Sequence, residues 1–429
     1  MGRGRRKRLI SLISGAVILI ILVTVTVRDH PAGEASKKAG RRASSGASTR
    51  RLDANGNLVT PFRYRIFKSY SEDEAQYRQP ADADKTSELS PPIDIRTFSS
   101  PIDQLLYLYD SLLGAPWSLN KVNLATMRAL LLKQSNQHTV QDELLLTQQN
   151  VREGDRLPYA ITNTMSKSGF KAYFNVTQSF LDEIPKVSPI SGKTFRRCSV
   201  VGNSGILRNS RCGNDIDKSD FVFRANIPPL RPFVHDAGSK SNLSTMNPSV
   251  VAKRYNRLRT TADHKLFKDT MGEYSGMLWM PCVGSHKMVD DCLMAKRSLD
   301  TNGTGNLRAV VSNPKHYIAM QYFWGERNIT QFLSTGFYVT QLALASCDET
   351  HLYGFWPFGT KVVQARPLLD PASAANRTAP FGKRKVRYHY FDNLPGPNMK
   401  AHSMQDEFAV LVQMHQLGML RLHIHPCDE

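Results

Sequence analysis

The sequence predicts an α/β fold: one Rossmann-like domain in which a mostly parallel sheet is flanked by helices. Three observations predict it. Beyond residue 198, short apolar runs of strand length alternate with longer segments of helical periodicity. Two of the helical segments open on Pro248 and Pro314, where the fixed φ of proline suits a first helical turn. A loop of Gly202, Asn203, Ser204 and Gly205 follows directly on the apolar run 198–201, where a backbone must turn sharply or approach a ligand closely.

From the amino terminus, Arg3, Arg5, Arg6, Lys7 and Arg8 precede residues 9–27, a run of 19 uncharged, mostly apolar residues long enough to cross a hydrocarbon layer. This predicts a cytoplasmic tail over 1–8 and a transmembrane signal anchor over 9–27, with everything after it lumenal or extracellular. A cleaved signal peptide is the competing reading, but the run exceeds a signal core and no A-x-A site follows. Residues 28–99 are rich in Ser, Ala, Gly, Lys, Arg, Asp and Pro, with too little apolar surface to repay ordering, and are expected to form a flexible stem. The folded domain is then 100–429.

In that domain, helical spacing predicts helices over 102–113 and 122–132, with a further short one at 143–146. Strands are predicted at 199–201, 221–224, 243–246, 277–280, 309–311, 350–353 and 420–424, and helices at 248–258, 314–324, 335–346 and 404–416. In open sheets of this kind ligands bind at the carboxyl ends of strands.

The formal net charge of +19 suggests nucleic acid until it is located. Residues 1–51 hold 12 Lys/Arg against 2 Asp/Glu, a net +10, which leaves +9 for the other 378. The excess marks topology and stem, and nucleic-acid binding is not expected. Six cysteines, at 198, 212, 282, 292, 347 and 427, all lie beyond the anchor. An even count in an oxidising compartment predicts disulfides, among 15 connectivities that spacing does not resolve. Without paired Cys spacing, zinc is not expected. Five sequons, at Asn175, Asn242, Asn302, Asn328 and Asn376, agree with passage through the secretory pathway.

Three further groups carry chemistry. Ser334, Thr335 and Gly336 stand where a helix begins, so hydroxyls and free N–H groups there suit a phosphate or carboxylate; a plain N-cap is the bland alternative. Trp356 suits stacking on a base or sugar, or simple core packing. The stretch 387–393, RYHYFDN, gathers Tyr388, His389 and Asp392, and His402 follows just before a helix. Histidine is the side chain suited to take a proton near neutral pH. His402 and Glu407, five apart, do not share a helical face simply, and Glu407 is expected to stabilise the first turn of that helix.

Together these segments resemble the sialylmotifs of animal sialyltransferases: the large motif in CSVVGNSGILRNSRCGNDID…FVFRANIPP, the small one in LSTGFYVTQLALASCDETHLYGFW, the third in YHYFDN, and the very small HxxxxE motif in His402 and Glu407. The order and spacing match over 198–429. VGNSG with Cys212 and Cys427 resembles the alpha-2,8 branch; Ala225 departs from the cysteine that many members carry in RCNxxP, while Asn226 is retained.

The resemblance implies a GT-A-variant Rossmann-like catalytic domain in a single-pass type II Golgi membrane protein. It implies transfer from CMP-sialic acid with inversion to a terminal sialic acid of a glycolipid or glycoprotein glycan. His402 would be the general base, His389 with Ser334, Thr335 and Gly336 the phosphate stabilisers, and Asn203, Asn226, Trp356 and Tyr388 the nucleoside contacts. It also implies disulfides Cys198–Cys347 and Cys212–Cys427, leaving Cys282 and Cys292 for a third bridge. No cofactor is implied, and a homodimer is compatible with the sequence. The alternatives are an alpha-2,3 or alpha-2,6 transferase acting on Gal or GalNAc, and a metal-dependent Golgi glycosyltransferase using another nucleotide sugar, for which Asp215 and Asp217 would form a DxD site. The resemblance gives those acids no metal role, and none is expected. Residues 302–333, with only Arg308, Lys315 and Arg327, lack the basic tract that long-chain polymerisation would need.

Overall fold

The computed structural model of the chain describes residues 100–136, 138–161, 172–300, 306–364, 381–394, 396 and 401–427. The expected tail, anchor and stem lie outside them, and among the described residues no helix is long and apolar enough to cross a membrane.

Eleven strands are described: β1 Arg156–Pro158, β2 Tyr173–Asn175, β3 Phe195–Val201, β4 Phe221–Arg224, β5 Leu243–Thr245, β6 Gly276–Met280, β7 Leu307–Val311, β8 Cys347–Tyr353, β9 Thr360–Gln364, β10 Phe381–Lys385 and β11 Arg421–His423. Seven of them form one sheet in the order β11-β8-β3-β4-β5-β6-β7. Every neighbouring pair is parallel, a sharper result than the mostly parallel sheet expected. Near-continuous apolar strands such as Met277–Met280 fit a sheet covered on both faces. The remaining strands pair as two antiparallel ribbons, β1 with β2 and β9 with β10, neither of which the apolar pattern had marked.

Helices α1 Pro101–Gly114, α2 Lys121–Gln134 and α3 Val140–Glu143 precede the sheet. The last differs from the helix expected at 143–146: Thr139 caps a single turn, and Leu145 then bridges Ser312 beside the sheet. Short helices α4 Gln178–Asp182, α5 Gly213–Asp217, α6 Val234–Ala237 and α7 Pro248–Arg254 follow, then α8 Thr261–Met271, α9 Val289–Asp300, α10 Pro314–Gly325, α11 Thr335–Ser346 and α12 Met404–Gln416. Helix α7 ends four residues before the expected 258, because Asn256, Arg257 and Leu258 all turn to positive φ. Helices α8 and α9 were not anticipated. Charged residues punctuate both, and they bury Phe267 and Met271 in α8 and, among others, Cys292, Leu293 and Leu299 in α9, which pack with Leu278, Met280 and Val311 of the sheet. The readable signal for α8 is its capping box, in which Thr260 Oγ accepts from Asp263 N while the Asp263 carboxylate accepts from Thr260 N.

The chain order places the site. From β3 the chain moves outward through β4, β5, β6 and β7, then returns to the other side of β3 as β8. The carboxyl ends of β3 and β8 therefore border the switch point where open α/β sheets leave a crevice. The two loops meet there on glycine. A Cβ at Gly202 would lie 2.5 Å from the carbonyl oxygen of Gly354, and one on Gly354, whose φ is +72°, would lie 2.6 Å from that of Gly202.

Three disulfides join Cys198 to Cys347, Cys212 to Cys427 and Cys282 to Cys292. The first links β3 to β8 beneath the switch point. The second ties the residue before α5 to the segment after β11, and the third holds the start of α9 against the end of β6.

Candidate active site

A cavity of about 190 Å³ opens at the switch point, and every residue expected at a site lines it: Asn203, Asn226, Ser334, Thr335, Gly336, Trp356, Tyr388, His389 and His402. They come from four separate parts of the chain. A larger cavity of about 270 Å³ beside Ser135 and His316 contains none of them.

On the β3 side, Asn203 Nδ2 donates to the carbonyl of Ala225 at 2.9 Å, which holds the loop after β3 against the loop after β4. Its Oδ1 is buried without a protein partner, a vacant acceptor of the kind that costs free energy until a ligand donor meets it. Asn226 adopts φ 57°, a left-handed conformation that asparagine tolerates. Its N–H donates to Thr245 Oγ1 at 2.9 Å, and its Oδ1 accepts from Asn247 N at 3.3 Å. Asn247, which sequence reasoning missed, lines the cavity too and donates through Nδ2 to Thr335 Oγ1 at 3.1 Å. Its position at the carboxyl end of β5, before the Pro248 that opens α7, was the available signal.

Helix α11 presents its amino end to the cavity. Ser334 Oγ accepts from Phe337 N at 3.2 Å, so that hydroxyl is an ordinary cap. The N–H groups of Thr335 and Gly336 have no protein partner among the described residues and stand at the positive end of the helix dipole. Ser334 N donates to Glu407 Oε1 at 2.6 Å. Glu407 therefore does not serve the first turn of its own helix, as the sequence suggested, but caps the neighbouring one. The five-residue offset from His402 permits this because Glu407 lies inside α12, whereas His402 precedes it. Burial pushes the Glu407 carboxyl up to about 7, although the Ser334 hydrogen bonds work in the other direction.

That shift has a stability consequence. Between the unfolded value near 4.5 and the folded value near 7, the folded state holds the proton more tightly, so stability falls as pH rises through this window. The total is about 3 kcal/mol. Glu407→Gln keeps an acceptor for Ser334 N and removes the titration. Thermal melts of this variant from pH 4.5 to 8 are expected to show a flatter pH dependence and a higher Tm than wild type above pH 7. Parallel curves for the two proteins would refute the assignment.

The two histidines arrive from the carboxyl-terminal side. His402 Nδ1 lies 2.8 Å from the carbonyl of Phe332, which only accepts, so Nδ1 carries a proton and the neutral ring keeps its lone pair on Nε2. His389 Nδ1 lies 2.9 Å from Asp392 Oδ2, so its Nδ1 carries a proton as well. Tyr388 and Phe391 stack on its ring, with centroids 4.3 and 4.9 Å away. Neither Nε2 has a protein partner among the described residues. Trp356 is 4% exposed, packs edge-on against Phe358 and Phe408, and donates its indole N–H to Thr360 O. Its ring is largely a core element, and its carbonyl anchors Ser204 Oγ at 2.9 Å.

The two acids of the D-I-D sequence lie elsewhere. Asp217 accepts from Ser239 N and Lys240 N at 2.8 and 3.0 Å, closing the turn at Gly238. Asp215 accepts from Arg197 Nη2 at 3.0 Å and from the Tyr353 hydroxyl. Candidate ligand atoms of Asp215, His423 and Cys427 lie within 4.8 Å of one another, but the Cys427 sulfur is bonded to Cys212.

Residues 145–419 match the model of glycosyltransferase family 29 (sialyltransferase). The chain is 34% identical over 258 residues to an alpha-N-acetylneuraminide alpha-2,8-sialyltransferase of Xenopus laevis, covering 59% of this chain and 64% of that one. It is 32% identical over 259 residues to the Bos taurus protein of the same name, covering 60% and 66%. The chain thus spans just under two thirds of these relatives. It is also similar to the crystal structure of a mammalian sialyltransferase in complex with Gal-beta-1-3GalNAc-ortho-nitrophenol, with a TM-score of 0.40 and 21% identity over 66% of this chain and 90% of that one. With its parallel sheet, its switch-point cavity and this family match over more than half its length, the chain belongs to glycosyltransferase family 29, the sialyltransferases.

Proposed function

We propose that the chain transfers sialic acid from CMP-sialic acid to a terminal sialic acid of a glycolipid or glycoprotein glycan, forming an alpha-2,8 linkage with inversion. The observation that carries this reading is the pair His402 and His389, which line one cavity with both Nδ1 atoms committed and both Nε2 atoms without a protein partner. His402 Nε2 takes the proton of the acceptor hydroxyl as that oxygen bonds to the anomeric carbon. The bond from that carbon to the phosphate oxygen breaks, and its electron pair leaves with CMP. The Thr335 and Gly336 N–H groups, and His389 as an imidazolium donating through Nε2, stabilise the departing phosphate, with Ser334 shaping that turn. Asn203, Asn226, Tyr388 and the part of Trp356 that lines the cavity contact the nucleoside. The relatives named for alpha-2,8 transfer support the linkage. In this reading residues 9–27 anchor the enzyme in the Golgi membrane, with the catalytic domain lumenal beyond a stem at 28–99.

The test is incubation of the full chain with CMP-sialic acid and a panel of sialylated and asialo acceptors, followed by linkage analysis. Product on sialylated acceptors, linked alpha-2,8, is expected; product only on Gal or GalNAc ends would overturn the linkage. The donor carries one phosphate and a good leaving group, and neither acid of the D-I-D sequence lines the cavity. Activity is therefore expected to persist in EDTA, whereas complete loss restored by Mn²⁺ would refute the metal-independent mechanism.

A further inference from the structure

The proposed reaction gathers three anionic groups: the phosphate and carboxylate of the donor, and the carboxylate of the sialic acid being extended. Yet among the described residues lining the cavity there is neither Lys nor Arg, and its titratable side chains are Tyr388, His389, His402 and Glu407. A fixed positive field has to come from the rim.

Strand β10 supplies one. Its Lys383, Arg384 and Lys385 are followed by Arg387, which immediately precedes the cavity residues Tyr388 and His389. The N–H of Val386 donates to Gly359 O at 2.8 Å and its side chain is buried, so strand-like alternation continues past β10. Lys385 and Arg387 then share the face opposite Val386, and both are exposed. The main chain of Arg387 is fixed at the site: Gly205 N donates to its carbonyl at 3.0 Å, and a Cβ on Gly205 would lie 2.5 Å from that oxygen. Its Nη1 donates to Asn393 Oδ1 at 2.6 Å, across the turn that carries His389. The nearby acids are already engaged, Asp103 with Lys383 at 2.5 Å and Asp392 with His389. Neither Lys385 nor Arg387 has a carboxylate partner among the described ion pairs, and Arg384 faces Lys361 across the ribbon.

We propose that Lys385 and Arg387 form a cationic rim that binds the carboxylate of the sialylated acceptor and steers it to His402. The inference rests on the catalytic reading above. Guanidinium–carboxylate pairing gives Arg387 the larger share, and an exposed charge contact of this kind is worth about fivefold in affinity.

The experiment measures steady-state transfer by the full chain with a sialylated oligosaccharide, varying acceptor and donor separately. The double variant Lys385→Gln/Arg387→Gln is expected to raise the acceptor KM about fivefold or more, with donor KM and acceptor-free CMP release unchanged. Raising ionic strength from about 0.05 to 0.3 M should lift the wild-type acceptor KM toward that of the variant and leave the variant nearly flat. Arg387→Lys should recover much of the loss. Lys265→Gln removes the same charge from a lysine paired with Asp269 in α8 and should change nothing. An unchanged acceptor KM, or a donor KM that rises equally, would overturn the rim. If the wild-type chain transfers to no sialylated acceptor, the catalytic reading falls and the rim falls with it.

Discussion

Replacing His402 with alanine is expected to lower kcat about 10³-fold, the scale of a positioned general base. Donor KM should hold, because the donor contacts proposed here come from Asn203, Asn226, Tyr388 and the amino end of α11. Phe332 O would lose the donor it meets at 2.8 Å, so a modest drop in Tm is expected as well. His402→Gln separates the two effects: a glutamine amide can still donate to Phe332 O but takes no proton. It should melt closer to wild type and remain as inactive as the alanine variant. Kinetics on both variants, with a CMP-induced thermal shift to show that the cavity still forms, make the check. A rate within tenfold of wild type for either folded variant would end the assignment of His402 as base.

Removing the Cys198–Cys347 disulfide is the second large effect. The bridge spans 149 residues, and closing so long a loop restricts the unfolded chain far more than the ten-residue step between Cys282 and Cys292. Chain-entropy reasoning gives about 5 kcal/mol for the long bridge, even though Cys212–Cys427 already shortens part of that path, and about 3 kcal/mol for the short one. The double variant Cys198→Ala/Cys347→Ala should therefore melt several degrees below wild type, and below Cys282→Ala/Cys292→Ala. It should also weaken the CMP-induced shift, since this bridge joins the two strands whose loops meet at Gly202 and Gly354. Melts with and without CMP decide it, and equal losses for the two pairs would reject the loop-entropy account.

The parts of the molecule legible in the sequence share a physical cause. Helices α11 and α12 were found with the bounds the structure gives, because α11 opens on a Ser334 cap and both carry long apolar runs. Strands such as β4 are short apolar segments buried at every position. Helices α8 and α9 escaped because their apolar residues are interrupted by charged ones, which leaves no contiguous apolar run to mark them. The ribbon of β9 and β10 escaped because its β10 strand, with glycine and three basic residues, has few apolar side chains to alternate. The cavity residues were found through motif resemblance; Asn247 belongs to no motif and was missed.

By itself the sequence determined the alternation that makes the sheet parallel, the residues that meet at the cavity and, through family resemblance, the pairing of its cysteines. These rest on periodicity, on proline and glycine geometry, and on motifs that survive as contiguous strings. Only the tertiary structure decided what each side chain is free to do. The Phe332 carbonyl selects the tautomer of His402, Glu407 caps α11 instead of its own helix, and Trp356 spends its ring in the core. Each depends on contacts between segments tens to hundreds of residues apart, and such contacts follow from packing, to which no local pattern is sensitive.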